Sequence, residues 1–457
     1  MSNFLNKAER PETKKKGRSM TEDPVFKILW SKSLPMLAGI MGIFVFNLVD
    51  TFFIGQLGTR ELAAVSFTFP VIMLVGGVSM GLGTGASAVI SKAVGQKDFQ
   101  LVQRLTTDSL VLSFLVVVAF VLVGIFSIDS LFLALGASED ILPLIKQYML
   151  IWYPGMAFLV VPMVGNSAIR ATGDMKTPGM VMLLAMLINL ILDPLLIFGI
   201  GVFPRMELAG AATATIIARA TTFFVSLWVL YFREKMITIR FHDFSQVLDS
   251  WKKILYIGLP SGATNLIIPV GAGAVTRLIS FYGAPAVAAF GVASRIEMFV
   301  SVVFMALASV LGPFVGQNWG AGRLDRIHQS VDHAYRFALI WGVLMMALLA
   351  GISGFIAPLF SDNPEVIKIT IRYLWIVPVG YGFQGILMMS SVTLNVLNRP
   401  FWASSLSLTY VALFYVPLAY LGSSLFLLDG IFGAAAIAKI LTGILAGVIL
   451  KKILSII

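Results

Sequence analysis

Apolar runs of twenty or more residues follow one another along this 457-residue chain, and they constrain its fold more than any other feature. Each run is long enough to cross a hydrocarbon layer of about 30 Å as a helix. With 58% hydrophobic and 12% charged residues, the chain has more apolar sequence than a water-soluble core can hold. Backbone amides in lipid need internal partners, and the runs lack the strict alternation of a membrane barrel. The sequence therefore predicts an all-α integral membrane protein.

Gly, Pro and charged residues divide the apolar sequence into about twelve predicted membrane spans. The spans are placed at 28–56, 62–92, 105–135, 140–169, 177–200, 208–232, 252–281, 286–316, 327–358, 364–396, 401–424 and 430–452. The polar and basic residues 1–26 lack the apolar stretch and cleavage site of a secretory signal, so they are predicted to form a flexible cytoplasmic tail.

Lys and Arg residues are unevenly distributed between the two sets of loops. If both termini are cytoplasmic, the inner segments hold about two dozen of these residues and the outer loops about five. Because membrane proteins keep an excess of Lys and Arg on the cytoplasmic side, this bias predicts cytoplasmic termini. The expected location is the inner membrane of a prokaryotic cell. Topology then explains the net charge of +10, and nucleic-acid binding is not expected.

The two halves of the chain resemble each other at an offset of roughly 225 residues. SLPMLAGIMGIFVFNLVDTFFIGQLGTRELAAVS, from Ser33, aligns with GLPSGATNLIIPVGAGAVTRLISFYGAPAVAAFG, from Gly258. AVGQKD likewise resembles FVGQNW, and LAGAATATII resembles IFGAAAIAKI. Because the order is the same and each half has an even number of spans, the halves share one topology. We predict two pseudo-symmetric six-helix lobes, an N-lobe at 27–232 and a C-lobe at 252–457, joined by a cytoplasmic linker at 233–251.

Two carboxylates interrupt the apolar spans of the first half. Asp50 lies in IFVFNLVDTFFIG and Asp193 in LINLILDPLLIFG. A charged group at the membrane centre is unfavourable by about 2.5 to 3.5 kcal/mol unless it is protonated, paired or hydrated. Such groups can exchange a proton near neutral pH or hold sodium. The structural alternatives are that Asp50 is hydrated near the outer mouth and that Asp193 caps a helix broken at Pro194.

Asn189 precedes Asp193 by one helical turn, so the two side chains are predicted to face the same side. Together with Asp50 and a hydroxyl from Thr215 or Thr213 in the next span, they would supply the hard oxygen ligands of a sodium site. The alternatives are a helix–helix hydrogen bond for the amide and ordinary packing for the threonines.

Neither carboxylate is duplicated in the second half. On the repeat alignment, Asp50 falls opposite Val275, and Asp193 falls near Tyr415 and Val416. Among the charges of the second half, Arg295 and Glu297 are expected to pair locally. The chain has no cysteine, and its three histidines form no metal-ligand pattern, so neither an enzyme nor a resident cofactor is expected.

Further residues of the first half suggest a cavity and a hinge. Tyr148, Met163 and Asn166 of the fourth span are candidates for the lining of a substrate cavity suited to flat organic cations. Pro35 lacks an amide proton, so the first helix can bend there. Our hypothesis is that protonation of Asp50 or Asp193 permits this bend and closes the cavity on one side.

The chain resembles the multidrug and toxic compound extrusion (MATE) family over nearly its whole length after the tail. The resemblance rests on VDTFFIGQLGTRELAAVS, AIRATGDMKTP, INLILDPLLIFG followed by GAATAT, ASRIE and VGQNWGAG. It implies twelve helices in two lobes around a central cavity, alternating access, and export of cationic or amphipathic compounds in exchange for protons or sodium. Membrane lipids surround the protein, which is expected to be a monomer.

Within that family the chain looks most like the DinF-type branch, in which acidic residues of the first lobe carry the coupling. The resemblance assigns coupling roles to Asp50 and Asp193, and further roles to Asn189, Thr215, Tyr148 and Pro35. The NorM-like branch has acidic ligands in the seventh and tenth spans, which this chain lacks. The alternative within transport is a flippase for lipids or lipid-linked glycans, which would need a positively charged cavity; Arg277 is the only candidate for it in this reading.

Overall fold

The computed structural model describes residues 20–238 and 243–457, and the regular structure within these ranges is helical. The first ten membrane helices are α1 Val25–Gly55, α2 Thr59–Gly95, α3 Phe99–Ala134, α4 Leu142–Ala171, α5 Lys176–Phe198, α6 Glu207–Arg233, α7 Phe244–Ser280, α8 Ala284–Gly320, α9 Leu324–Leu359 and α10 Pro364–Val396. Positions 1–19 of the predicted tail and 239–242 of the predicted linker lie outside the described residues.

The last helical stretch, Pro400–Leu454, contains two membrane helices. As one straight helix it would be about 80 Å long, roughly twice the thickness of a bilayer. The backbone leaves helical geometry at Phe426 and Leu427, where Leu427 has a φ of 54°. Backbone atoms of Gly422 and Gly430 are in close contact, which requires the chain to reverse direction between them. We therefore number α11 as 400–425 and α12 as 428–454, and the predicted dozen crossings are confirmed.

The fourth helix of each half is interrupted at a corresponding point. α4 divides into Leu142–Gly155 and Ala157–Ala171, directly after Pro154. α10 contains the short 3₁₀ turn Val377–Gly380. Proline at each break removes a backbone N–H from the helical ladder. Because residue 155 corresponds to residue 380 at the offset of 225, the shared irregularity supports the predicted duplication.

The lobes pack against each other mainly through three helix pairs, α2 with α7, α2 with α8 and α1 with α8. In the α2–α7 pair, Gly81 lies against Gly258 and Gly262, and Gly85 lies against the backbone of Ile254. Small residues let helix backbones approach closely, which is how helices associate in a lipid solvent. The glycines therefore fix the line along which the two lobes meet.

At the end of the bundle where α1 begins and α12 ends, polar contacts join the two lobes. Gln317 of α8 donates through Nε2 to the carbonyl of Ala171 in α4, at 2.7 Å. Just before α1, Met20 is buried, and its carbonyl accepts hydrogen bonds from Asn318 at 3.0 Å and from Arg326 at 3.2 Å. The part of the predicted tail nearest α1 is thus attached to the second lobe.

Gly81→Ala is expected to destabilise the folded protein by about 1 to 3 kcal/mol because the added methyl group overpacks the lobe interface. A Cβ at this position would lie 2.4 Å from the carbonyl oxygen of Gly258. The thermal unfolding midpoint of the purified protein measures the effect. Gly76→Ala is the matched control, since its Cβ would enter open space on the same helix. Equal midpoints for the two variants would contradict this account of the interface.

Candidate functional site

The polar residues predicted on α5 meet as expected. Asn189 and Asp193 are both fully buried, and Asn189 Nδ2 donates to Asp193 Oδ1 at 2.8 Å. Asp50 lies on α1, which packs along α5, and it interacts electrostatically with Asp193. The fold therefore brings together the two carboxylates and the amide that the sequence singled out.

Three oxygens of this cluster are buried without a hydrogen-bond partner among the described residues. They are Oδ1 of Asp50, Oδ1 of Asn189 and Oδ2 of Asp193. A buried polar atom without a partner is unfavourable by about 1 to 3 kcal/mol, and more when it is charged. Carboxylate and amide oxygens are hard ligands, so the vacant acceptors suit a proton or an alkali cation. The cluster has the chemistry of an ion-coupling site.

The two threonines of α6 differ in their hydrogen bonds. Thr213 Oγ1 donates to the carbonyl of Ala209 at 2.7 Å, one turn earlier on the same helix. Thr215 is partly buried and forms no hydrogen bond within the described part of the chain. The hydroxyl of Thr215 is therefore the more available of the two, and its role as a ligand stays a prediction.

Tyr148 lies beside the carboxylates and not on the central cavity. Its side chain is 4% exposed and interacts electrostatically with both Asp50 and Asp193. The other two residues predicted for the substrate cavity, Met163 and Asn166, do line it. The prediction for Tyr148 is corrected in this respect, because the break in α4 separates its outer half from the half that faces the cavity.

A cavity of about 440 Å³ lies between the lobes and is lined by α1, α2, α4, α5, α6, α8 and α10. Its volume is within the range of pockets that hold organic molecules. Methionines form much of its apolar wall: Met36, Met80, Met163, Met182, Met186, Met305 and Met388. Flexible, polarisable side chains of this kind adapt to ligands of different shape.

The charged residues of the cavity are two arginines, Arg170 of α4 and Arg219 of α6. No carboxylate is among the described residues that line it. Arg170 Nη2 donates to Ser167 Oγ at 2.7 Å, and the Arg219 guanidinium lies 5.0 Å from the ring centroid of Phe46. Arg219 also interacts electrostatically with Asp50. The cavity is therefore positively charged and adjoins the carboxylate cluster.

Sequence reasoning missed both arginines. Arg170 directly follows the predicted fourth span, 140–169, and Arg219 lies in IIARATT of the sixth. A census of basic as well as acidic residues in the spans would have found Arg219, because an intramembrane arginine is as unusual as a carboxylate. The sign of the charge on the cavity depends on these two residues.

The expected pairing of Arg295 with Glu297 is wrong. Glu297 Oε1 instead lies 2.5 Å from Nζ of Lys439 on α12. Residues two apart on a helix do not face each other, so a local pair was geometrically unfavourable from the start. Lys439 was missed for the same reason as Arg219.

Comparison with known proteins places these features in context. The MatE family profile matches residues 35–195 and 260–421, one segment in each lobe. A protein named FAD transporter from Shewanella oneidensis is 39% identical over 92% of this chain and 93% of its own length. The multidrug export protein MepA of Staphylococcus haemolyticus is 25% identical over 93% of both chains.

Solved structures agree in fold. The MATE transporter VcmN of Vibrio cholerae in the bent form superposes with a TM-score of 0.90, at 31% identity, over 94% of this chain and 97% of that one. A transporter of the MOP superfamily from Pyrococcus furiosus superposes with a TM-score of 0.88, at 25% identity, over 95% and 97% of the two chains. For that transporter, reverse polarity of the binding pocket is described as suggesting a different function.

Proposed function

Because the chain belongs to the MATE family of membrane transporters, we propose that it exports amphipathic organic anions that carry phosphate, with flavin nucleotides as the first candidates. The observation that carries the proposal is the cavity with Arg170 and Arg219 and no lining carboxylate in the described part of the chain. Guanidinium groups form paired hydrogen bonds with phosphate oxygens, and these hydrogen bonds are stronger in a site shielded from water. The similarity to a protein named FAD transporter supports the same substrate class.

The apolar wall supports an amphipathic substrate. A flavin nucleotide combines a flat aromatic ring system with an anionic phosphate, and the cavity pairs methionines and Phe46 with the two arginines. Methionine and aromatic side chains pack well against flat rings. A flippase for lipid-linked phosphates would need the same charges, so transport of a water-soluble nucleotide separates the two functions.

Export of cationic or amphipathic drugs is the second candidate function. The relative named multidrug export protein and the methionine-rich wall favour it. The two arginines oppose it, because a cation in the cavity would meet two like charges, with no carboxylate among the described lining residues and Asp50 as a neighbour of Arg219 alone.

We propose that transport is coupled to protons or sodium at Asp50, Asp193, Asn189 and Thr215. The vacant oxygens of the first three residues support this site. Arg219 connects this ion site to the substrate cavity, since it lines the cavity and interacts with Asp50. A change in the charge of Asp50 therefore alters the field that a substrate meets.

Liposomes that contain the purified protein test the proposal. An imposed pH or sodium gradient should drive movement of FAD and of the monophosphate FMN, whereas riboflavin, which lacks phosphate, and the cationic dye ethidium should move slowly. Active transport of ethidium without transport of either nucleotide would favour the multidrug function. Transport of neither class would contradict both proposals.

Pro35→Ala is expected to slow transport several-fold while leaving equilibrium binding of substrate unchanged. The helix α1 is continuous through Pro35, whose carbonyl packs against Gly179 of α5. A proline removes one backbone hydrogen bond and lowers the resistance of a helix to bending. Initial transport rates and binding titrations measured on the same preparation separate the two effects. A variant that transports at the native rate would rule out this hinge.

A further inference from the structure

A second ionic cluster, with its lysine buried and its carboxylate partly buried, lies in the C-lobe where α8, α10 and α12 meet. Lys439 is 4% exposed, and its Nζ contacts Glu297 Oε1 at 2.5 Å. Tyr373 donates its hydroxyl to Oε2 of Glu297 at 2.7 Å. The ring centroid of Tyr381 lies 4.8 Å from the Lys439 ammonium, which places a cation over an aromatic face. Buried charges are tolerated when they are paired and hydrogen-bonded, and this site provides both.

The cluster occupies the place that corresponds to the carboxylate cluster of the N-lobe. QYMLIWYPG at 147–155 aligns with RYLWIVPVG at 372–380, so Tyr148 corresponds to Tyr373. Tyr148 lies beside Asp50 and Asp193, and Tyr373 is bonded to Glu297. In each lobe the same tyrosine position therefore adjoins a buried or partly buried carboxylate.

Packing contacts locate Lys439 within this correspondence. Gly155 of α4 packs against the side chain of Ile216 in α6. Its counterpart in the second lobe, Gly380, packs against Lys439 in α12. Lys439 therefore stands at the position of Ile216, one residue after the candidate ligand Thr215. Its ammonium extends from the helix that corresponds to α6.

The acidic residues lie on different helices in the two lobes. INLILDPLL of α5 aligns with VALFYVPLA of α11, so Pro194 matches Pro417 and Asp193 matches Val416. The helix α11 thus has no carboxylate at this position, and Glu297 of α8 supplies one from another side. In the first lobe one oxygen each of Asp50, Asn189 and Asp193 has no hydrogen-bond partner among the described residues, whereas in the second lobe the Lys439 ammonium contacts Glu297.

We propose that the C-lobe contains a cation site that is permanently occupied by the tethered ammonium of Lys439, with Glu297 as its anion. The site selects a primary alkylammonium ion, because Glu297 accepts its hydrogen bond and the face of Tyr381 attracts its charge. The charge of the second lobe then stays constant during transport, and ion exchange is left to the first lobe.

Lys439→Ala tests the proposal by opening the site to an external ion. The substitution removes three methylene groups and the ammonium, which together match n-propylammonium. Addition of n-propylammonium chloride to the purified variant is expected to raise its thermal unfolding midpoint, while the native protein does not respond. A ligand at about ten times its Kd favours the folded state roughly elevenfold. Propan-1-ol and tetramethylammonium chloride, which lack either the charge or the donor, are expected to have no effect.

The double variant Lys439→Ala, Glu297→Gln should not respond to n-propylammonium. If Lys439→Ala does not respond, or if the double variant responds equally, the proposal is overturned.

A second comparison covers the case in which Lys439→Ala does not fold. Lys439→Met leaves Glu297 without its cation, whereas Lys439→Met with Glu297→Gln removes both charges at similar volume. The double variant is expected to unfold at a clearly higher temperature than the single one, because a lone buried charge is unfavourable. Equal midpoints would mean that Glu297 needs no cation, and the proposal would fail.

Discussion

Asp50→Asn and Asp193→Asn are each expected to reduce gradient-driven transport by at least about tenfold, which corresponds to 1.4 kcal/mol or more. Asparagine has nearly the shape of aspartate but neither binds a proton near neutral pH nor carries the charge that holds sodium. Oδ1 of Asp50 and Oδ2 of Asp193 have no hydrogen-bond partner among the described residues, and the bond that Asp193 Oδ1 accepts from Asn189 can also be accepted by an asparagine oxygen. Replacing either carboxylate should therefore impair ion coupling more than folding.

Liposomes with a pH gradient or a sodium gradient, imposed separately, measure this prediction. The gradient that drives the native protein and fails to drive the variants identifies the coupling ion. Asp140→Asn is the matched control, since Asp140 lies on the surface in an exposed ion pair with Arg60. If Asp50→Asn and Asp193→Asn both transport at the native rate, the ion site lies elsewhere.

Arg219→Gln is expected to weaken binding of FAD by about ten- to a hundredfold, because a charge-assisted hydrogen bond to a buried group contributes about 1.5 to 3 kcal/mol. Binding of riboflavin should change little, since that molecule has no phosphate for the guanidinium to contact. Arg170→Gln is expected to act in the same direction. Quenching of flavin fluorescence in a titration of the purified variants provides both affinities.

Arg277→Gln provides the control for a loss of positive charge. Arg277 lies in the last turn of α7 and is not among the residues that line the cavity. A variant at Arg219 that binds FAD as tightly as the native protein would contradict the proposed contact. Equal weakening by Arg277→Gln would point to a general effect of net charge.

Much of the fold follows from sequence because lipid restricts the choices. Apolar runs of sufficient length have to be helices, and the repeat of SLPMLAG in GLPSGAT fixes the relation between the lobes. The pairing of Asn189 with Asp193 was predictable as well, since four residues make about one helical turn. Spacing within one helix determined that contact.

Contacts between helices that are distant in sequence were harder to predict. Glu297 and Lys439 are 142 positions apart. Helix spacing argues against Arg295 as the partner of Glu297, but no local pattern identifies Lys439 in its place. The positive cavity likewise requires that α4 and α6 present Arg170 and Arg219 to the same space. Sequence identified the first-lobe acids because each is unusual by itself, whereas the sign of the cavity charge depends on packing.

Equilibrium binding to the purified native protein tests the substrate class most directly. FAD, riboflavin and ethidium should be titrated separately at low and at high salt concentration. The charges of Arg170 and Arg219 predict that FAD binds more tightly than riboflavin, that salt weakens the binding of FAD, and that ethidium binds least. Tighter binding of ethidium than of FAD would contradict the account of this cavity as a site for phosphate-bearing anions.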